Sequence, residues 1–148
     1  MLSQKSIRKI VDEKINFTVP SYQRGYRWDR LNVTDLLNDL LEFIQDGSSG
    51  KFYCLQPLVV KKIDKNQYNV IDGQQRLTTI FIILKYLENL LKEENGIDEI
   101  YTLSYETRKD SKDFLQNIAS KTRNESDKNM DYFYMYQAYK DIDGFFKE

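Results

Sequence analysis

The chain contains no histidine. An imidazole base, a histidine metal ligand or a Ser-His-Asp triad therefore cannot be completed from its own residues. Its single cysteine, Cys54, excludes an internal disulfide framework and a multi-cysteine zinc site. Cys54 falls in an expected strand and is read as a small buried residue rather than a nucleophile. Two prolines and six glycines leave no composition for a long disordered linker. No apolar run approaches the ~18 residues of a membrane-spanning helix. The N-terminus, with Gln4, Lys5, Arg8 and Lys9, lacks the apolar core of a signal peptide. A soluble, cytoplasmic protein is the expectation. An excess of one charge sign is also missing, with 22 Lys and Arg against 23 Asp and Glu. A strongly basic nucleic-acid module is thereby excluded as a description of the whole chain.

What is present is sufficient for one core. A chain of 148 residues that is 41% hydrophobic suits a single domain rather than two. The charge is unevenly spread. Residues 1–30 hold seven cations (Lys5, Arg8, Lys9, Lys14, Arg24, Arg27, Arg30) and three carboxylates (Asp12, Glu13, Asp29), a surplus of four. The rest of the chain is net negative.

Periodicity predicts a short helix over 5–15 and a strand at Phe17-Thr18-Val19 stopped by Pro20. A helix follows over 32–45, with Val33, Leu36, Leu37, Leu40, Leu41 and Ile44 on one face, Asn32 as N-cap and Asp35 near the positive end of the dipole. Gly47-Ser48-Ser49-Gly50 makes a flexible connection. Strands are expected at Tyr53–Ile63, where Pro57 suggests an edge or bulge, and at Gln67–Ile71, paired antiparallel through a turn at Asp64-Lys65-Asn66. A long, widely apolar helix over 74–94 closes at Asn95-Gly96. The remainder reads as a strand at Ile100–Tyr105, a helix at Asp110–Ile118, a polar loop at 120–128 and a helix at Met130–Phe146. That last helix should turn Met135, Ala138, Ile142, Phe145 and Phe146 inward. Its aromatic run Tyr132–Tyr136 is read as a packing surface, one that a following domain could cover. The chain stops two residues past Phe146 without a stop signal, which is compatible with a native terminus and also with a fragment of a longer protein.

Two segments can carry chemistry. Asp72-Gly73-Gln74-Gln75-Arg76-Leu77-Thr78-Thr79 lies where a strand ends and the long helix begins. A helix start offers unpaired N–H groups and partial positive charge to phosphate. Gly73 permits close approach to the backbone, Arg76 can bind two phosphate oxygens at once, and Asp72 can hold a metal ion or polarise a water. Asp72 followed by Gln75 is equally a capping box; the two readings are compatible. It is not a Walker A loop, since the second glycine and the Gly-Lys-Thr/Ser ending are missing. In the second segment, Pro20–Trp28, Tyr22, Tyr26 and Trp28 alternate with Arg24 and Arg27. Such interleaving suits a nucleotide or a nucleic-acid strand. The alternative is structural, with Tyr22 and Trp28 as lids over the core and the arginines paired with Asp29 or Asp35.

Together the segments resemble a known family. Val19-Pro20-Ser21-Tyr22-Gln23-Arg24-Gly25-Tyr26-Arg27-Trp28 is similar to the first motif, and Asp72–Thr79 matches the second, of the N-terminal domain of GmrSD-type restriction endonucleases, relatives of ParB and sulfiredoxin-like proteins. The resemblance covers most of residues 5–95 and, more loosely, 96–148. It implies an α+β fold, a small mixed sheet of the ParB/sulfiredoxin kind packed with helices. It implies, too, that residues 1–148 form one nucleotide-binding domain, with 96–148 as its helical C-terminal extension, and that the whole is an N-terminal fragment of a longer restriction protein. The resemblance further implies binding and hydrolysis of a nucleoside triphosphate with Mg²⁺, regulating cleavage of foreign, often modified, phage DNA. Carried onto this chain, the catalytic residues are Asp72, Gln75 and Arg76, with Asp72 as metal ligand. The nucleotide-binding set is Gln23, Arg24, Gly73, Gln74, Gln75, Arg76, Thr78 and Thr79. Tyr22, Arg24, Arg27 and Trp28 are the DNA-contacting set. Expected partners are a nucleoside triphosphate, DNA, a C-terminal nuclease domain or subunit and, for closing the site, a second copy in a homodimer. The family's nuclease centre is histidine-rich and therefore absent from this chain. Sulfiredoxin chemistry is not expected, because the matching turn has Gln74 and Gln75 and no cysteine. The alternative function is a non-catalytic DNA-binding module of ParB-like fold.

Overall fold

The computed structural model describes residues 5–46, 57–91 and 100–148. The Gly47–Gly50 connection, Cys54 with the expected strand start at Tyr53, and the Asn95-Gly96 stop lie outside the described residues. Strands β1 (Asn16–Val19), β2 (Val59–Asp64), β3 (Gln67–Asp72) and β4 (Thr102–Tyr105) form one sheet in the order β2-β3-β1-β4. The β2–β3 hairpin is antiparallel, turning through Asn66 at φ 60°. β2 is an edge strand with two register shifts, in keeping with the reading of Pro57. β1 pairs parallel with both β3 and β4. The fold is α+β, with a mixed sheet.

The parallel pairing positions everything that follows. β1, β3 and β4 point the same way, so the loops leaving their C-terminal ends (20–28, 73 and 106–110) emerge at one end of the sheet. In open sheets with parallel strands, this is the end at which ligands bind. Strand alternation then sorts the faces. Phe17, Val19, Val70, Leu103 and Tyr105 are buried, whereas Asn16, Thr18, Gln67, Asn69, Thr102 and Ser104 line a polar concavity on the opposite face.

Six α-helices occur among the described residues. α1 spans Ile7–Asp12 and buries Ile10. α3 (Gln74–Leu90) is the central helix. Leu77, Ile80, Phe81, Ile82, Ile83 and Tyr86 are all buried, which fits its wide apolar arc. α6 (Met130–Lys147) packs on α3 and on α2 (Arg30–Gln45) through Tyr132, Met135, Ala138, Tyr139 and Ile142. Phe145 is half-buried. Phe146 is exposed, although its ring stacks on Tyr86 at 5.4 Å. In the aromatic run, Tyr132 stacks on Phe114 at 4.1 Å and Met135 is buried, so much of that packing is internal.

Three expectations are corrected. α2 starts two residues early: Asp29 is its N-cap, and Asn32 is the reciprocal half of a capping box. Its apolar face is covered only over the first half, since Val33, Leu36 and Leu37 are buried but Leu41 and Ile44 are 41% and 70% exposed. The polar stretch 120–128 contains a one-turn helix, α5 (Arg123–Ser126), because Thr122 caps it by accepting from the Glu125 N–H. The helix expected at 110–118 is α4 (Ser111–Gln116) followed by a 3₁₀ turn at Ile118–Ser120.

Three buried tyrosines tie α3 to the strand ends. Tyr26 and Tyr105 share hydrogen bonds with Thr79 and Thr78 at 2.8 and 2.7 Å, and Tyr101 donates to the Leu77 carbonyl at 2.6 Å. Burial pushes all three phenols above their ordinary range. A group whose folded pKa is raised contributes stability below its unfolded pKa, and this is lost as pH rises further. Urea-unfolding free energy is therefore expected to hold to about pH 9 and to fall above about pH 10, by about 1.4 kcal/mol per pH unit for each buried phenol. Tyr26→Phe should remove one such contribution from the alkaline slope.

Candidate functional site

β3 ends at Asp72, whose Oδ1 accepts the Gly73 N–H at 2.9 Å. Gly73 is the N-cap of α3 and sits in the left-handed region at φ 95°. A Cβ there would meet Leu58 Cδ1 at 3.2 Å and the Leu58 Cα and Pro57 carbonyl at 3.3 Å. The approach that Gly73 permits is thus that of the chain's own segment at Pro57-Leu58. Gly73→Ala combines a strained φ with this contact, and an expected loss of about 2 kcal/mol should appear in the urea midpoint.

The capping-box expectation is overturned. Among the described residues no side chain caps α3, which leaves its first amides without a side-chain acceptor there. Gln75 is used elsewhere. Its Oε1 accepts the Arg27 backbone N–H and its Nε2 donates to the Gly25 carbonyl, both at 2.9 Å. One side-chain amide thus pairs with the loop backbone as a neighbouring strand would. Gln23 makes the second stitch, its Nε2 donating to the Ile71 carbonyl at 2.8 Å. Tyr26–Thr79 is the third. The two motifs, some fifty residues apart in the chain, form one unit because adjacent parallel strands deliver them to the same place.

The remaining expected site residues divide by exposure. Arg24 is exposed and makes no ion pair among the described residues; Tyr22 is 73% exposed and is no lid over the core. Trp28 is half-buried, with the Arg76 guanidinium 5.5 Å from its ring centroid. Gln74 is largely buried, and its side-chain amide makes no hydrogen bond among the described residues. Thr78 and Thr79 are placed otherwise than expected. They lie in the second turn of α3 and are fully buried. Their hydroxyls are held by Tyr105, Tyr26 and the carbonyls of Gln74 and Gln75, so they support the helix start from beneath. Arg27 pairs with neither Asp29 nor Asp35. Its Nη1 binds Asp131 Oδ1 and donates to the Tyr26 carbonyl at 2.7 Å.

Asp131 was not among the expected residues. It is 2% exposed, and its Oδ2 accepts from Arg108 Nε at 3.0 Å. A signal for it does exist in the sequence: Asp131 lies four, seven and eleven residues before Met135, Ala138 and Ile142, in phase with the buried stripe of α6. A carboxylate in that phase must be paired.

A family model for the GmrSD restriction endonuclease N-terminal domain matches residues 7–146. The match covers nearly the whole chain, which therefore belongs to this family. Membership associates it with restriction-type defence against phage. No curated protein matches the chain significantly. Among the described residues, no helix is long and apolar enough to cross a membrane, and no cluster of three metal-ligating side chains occurs.

Proposed function

We propose that this domain binds and hydrolyses a nucleoside triphosphate at the start of α3 and thereby regulates a DNA restriction activity. The observation that carries the reading is the fusion of the two motifs at a helix N-terminus that no side chain caps among the described residues. That spot has two arginines without carboxylate partners among the described residues, Arg24 and Arg76, and a Gln74 amide without a hydrogen bond there. Phosphate oxygens would meet the amides of Gln74, Gln75 and Arg76, whose dipole favours negative charge. Arg76 would bind in a fork, and Arg24 would approach from the first motif.

Asp72 suits Mg²⁺. The ion is commonly bound by one or two carboxylates together with substrate phosphates, and Asp72 supplies one exposed carboxylate beside the helix start. When bound, Mg²⁺ would offset charge on the phosphates. Gln75 spends both ends of its amide on the loop, so in this reading it positions Gly25–Arg27 rather than touching the reacting atoms. Thr78 and Thr79 hold the helix start, and Gln23 anchors the loop. The polar concavity of the sheet lies on another face. Closure by a second copy of the chain on nucleotide binding is part of the reading, as is a nuclease centre in another domain or subunit of the restriction protein.

Purified protein with Mg²⁺ and each nucleoside triphosphate is the test. Micromolar binding or turnover is expected; neither, for any of the four, would refute the reading. A second reading is direct DNA contact, favoured by the exposure of Tyr22 and Arg24. It predicts affinity that falls steeply with salt and is lost in Arg24→Ala.

A further inference from the structure

Gly25, Tyr26 and Arg27 are gripped from two sides. On one side is the Gln75 amide, carried by α3. On the other is Asp131, carried by the first turn of α6, more than a hundred residues away in the chain. The Asp131 carboxylate takes the Arg27 guanidinium on Oδ1 and Arg108 on Oδ2. Arg108 comes from the loop after β4, the third loop at that end of the sheet. The same Arg27 nitrogen also holds the Tyr26 carbonyl, which fixes the loop backbone to the carboxylate through one guanidinium. The Tyr134 ring, also on α6, lies 5.8 Å from that guanidinium.

Gly25 shows how close the loop comes. A Cβ at this position would overlap Asp131 Oδ1 and Cγ, so the backbone itself packs on the carboxylate. The cluster is also electrostatically constrained. One buried carboxylate holds two partly buried arginines, and without it two like charges would face each other unpaired.

We propose that Asp131 is the positioning residue of the site. By pulling on Arg27 and seating Gly25 from the far side, it holds the first motif against Gln75, and so fixes where Arg24 and Trp28 stand relative to Arg76. This rests on the nucleotide reading for its functional consequence, but its structural half is independent of that reading.

The test uses the parent, Asp131→Asn, Gly25→Ala and Arg108→Gln, each well below its melting temperature. Amide hydrogen exchange is compared at residues 22–28 and at 80–86 inside α3, and affinity is measured for a non-hydrolysable nucleoside triphosphate with Mg²⁺. Asp131→Asn is expected to speed exchange at 22–28 by about tenfold or more while leaving 80–86 unchanged, and to weaken nucleotide affinity by about tenfold. Gly25→Ala keeps every charge but displaces the loop, and should do the same; it carries the test if Asp131→Asn does not fold. Arg108→Gln leaves the Arg27 side of the carboxylate in place, and should lower the melting temperature while keeping affinity within about twofold. Uniformly faster exchange along the chain, no change at 22–28, or equal affinity losses in all three variants would overturn the proposal. So would faster loop exchange with unchanged affinity. If the parent binds no nucleotide, the functional reading fails, and the exchange pattern alone then decides whether Asp131 positions the loop.

Discussion

Gln75→Ala is expected to weaken nucleotide binding by more than tenfold and to destabilise the domain by about 2 kcal/mol. The first effect follows from geometry. Among the described residues, the Gln75 amide is the only side chain that pairs with the loop backbone at both Gly25 and Arg27. Its removal leaves a half-buried N–H and C=O without protein partners, at about 1 kcal/mol or more each. The loop that carries Arg24 and Trp28 then loses its register on α3. Gln75→Glu separates the two ends of the amide. A carboxylate still accepts the Arg27 N–H, but it cannot donate to the Gly25 carbonyl and repels it. It also places negative charge beside the phosphate positions. The Gln75→Glu protein should therefore bind nucleotide more weakly than the Gln75→Ala protein while costing similar stability. Urea melts and calorimetric titration of the two variants check both statements. Equal affinity in Gln75→Ala and the parent would contradict the role assigned to the clamp.

Arg76→Ala should give the opposite balance. Arg76 touches Trp28 through its guanidinium and makes no ion pair among the described residues, so its loss should cost under about 1 kcal/mol of stability. Its charge would be spent on the phosphates. Losing a forked, charge-assisted contact is expected to weaken triphosphate affinity by about a hundredfold, near 2.7 kcal/mol. Arg76→Lys should recover part of this, because an ammonium restores the charge but not the planar fork. A folded Arg76→Ala protein that binds as the parent does would remove Arg76 from the site.

The sequence carries the local structure well. The 3.6-residue stripes of α3 and α6 and the turn at Asp64-Lys65-Asn66 are legible, because each reflects burial or backbone preference within a few residues. The parallel pairing of β1 with β3 and β4 is not legible, since no short pattern records which distant strands become neighbours. That pairing is what joins the motifs. The site residues divide along the same line. Asp72, Gly73, Gln74 and Arg76 stand at the helix start where the strand-to-helix boundary implies. Gln75 and Arg27 each match a second, plausible local partner, a cap or a nearby carboxylate. Only the assembled fold shows that the partners are Gly25 and Asp131. Thr78 and Thr79 follow the motif directly in the chain, and only their bonds to Tyr105 and Tyr26, which come from distant segments, show that they face inward.

The most direct measurement is a crystal structure with a non-hydrolysable nucleoside triphosphate and Mg²⁺. The account predicts the phosphates at the N-terminal amides of α3, between Arg76 and Arg24, with Asp72 beside the metal. Phosphates bound anywhere else on the domain, with the start of α3 untouched, would contradict it.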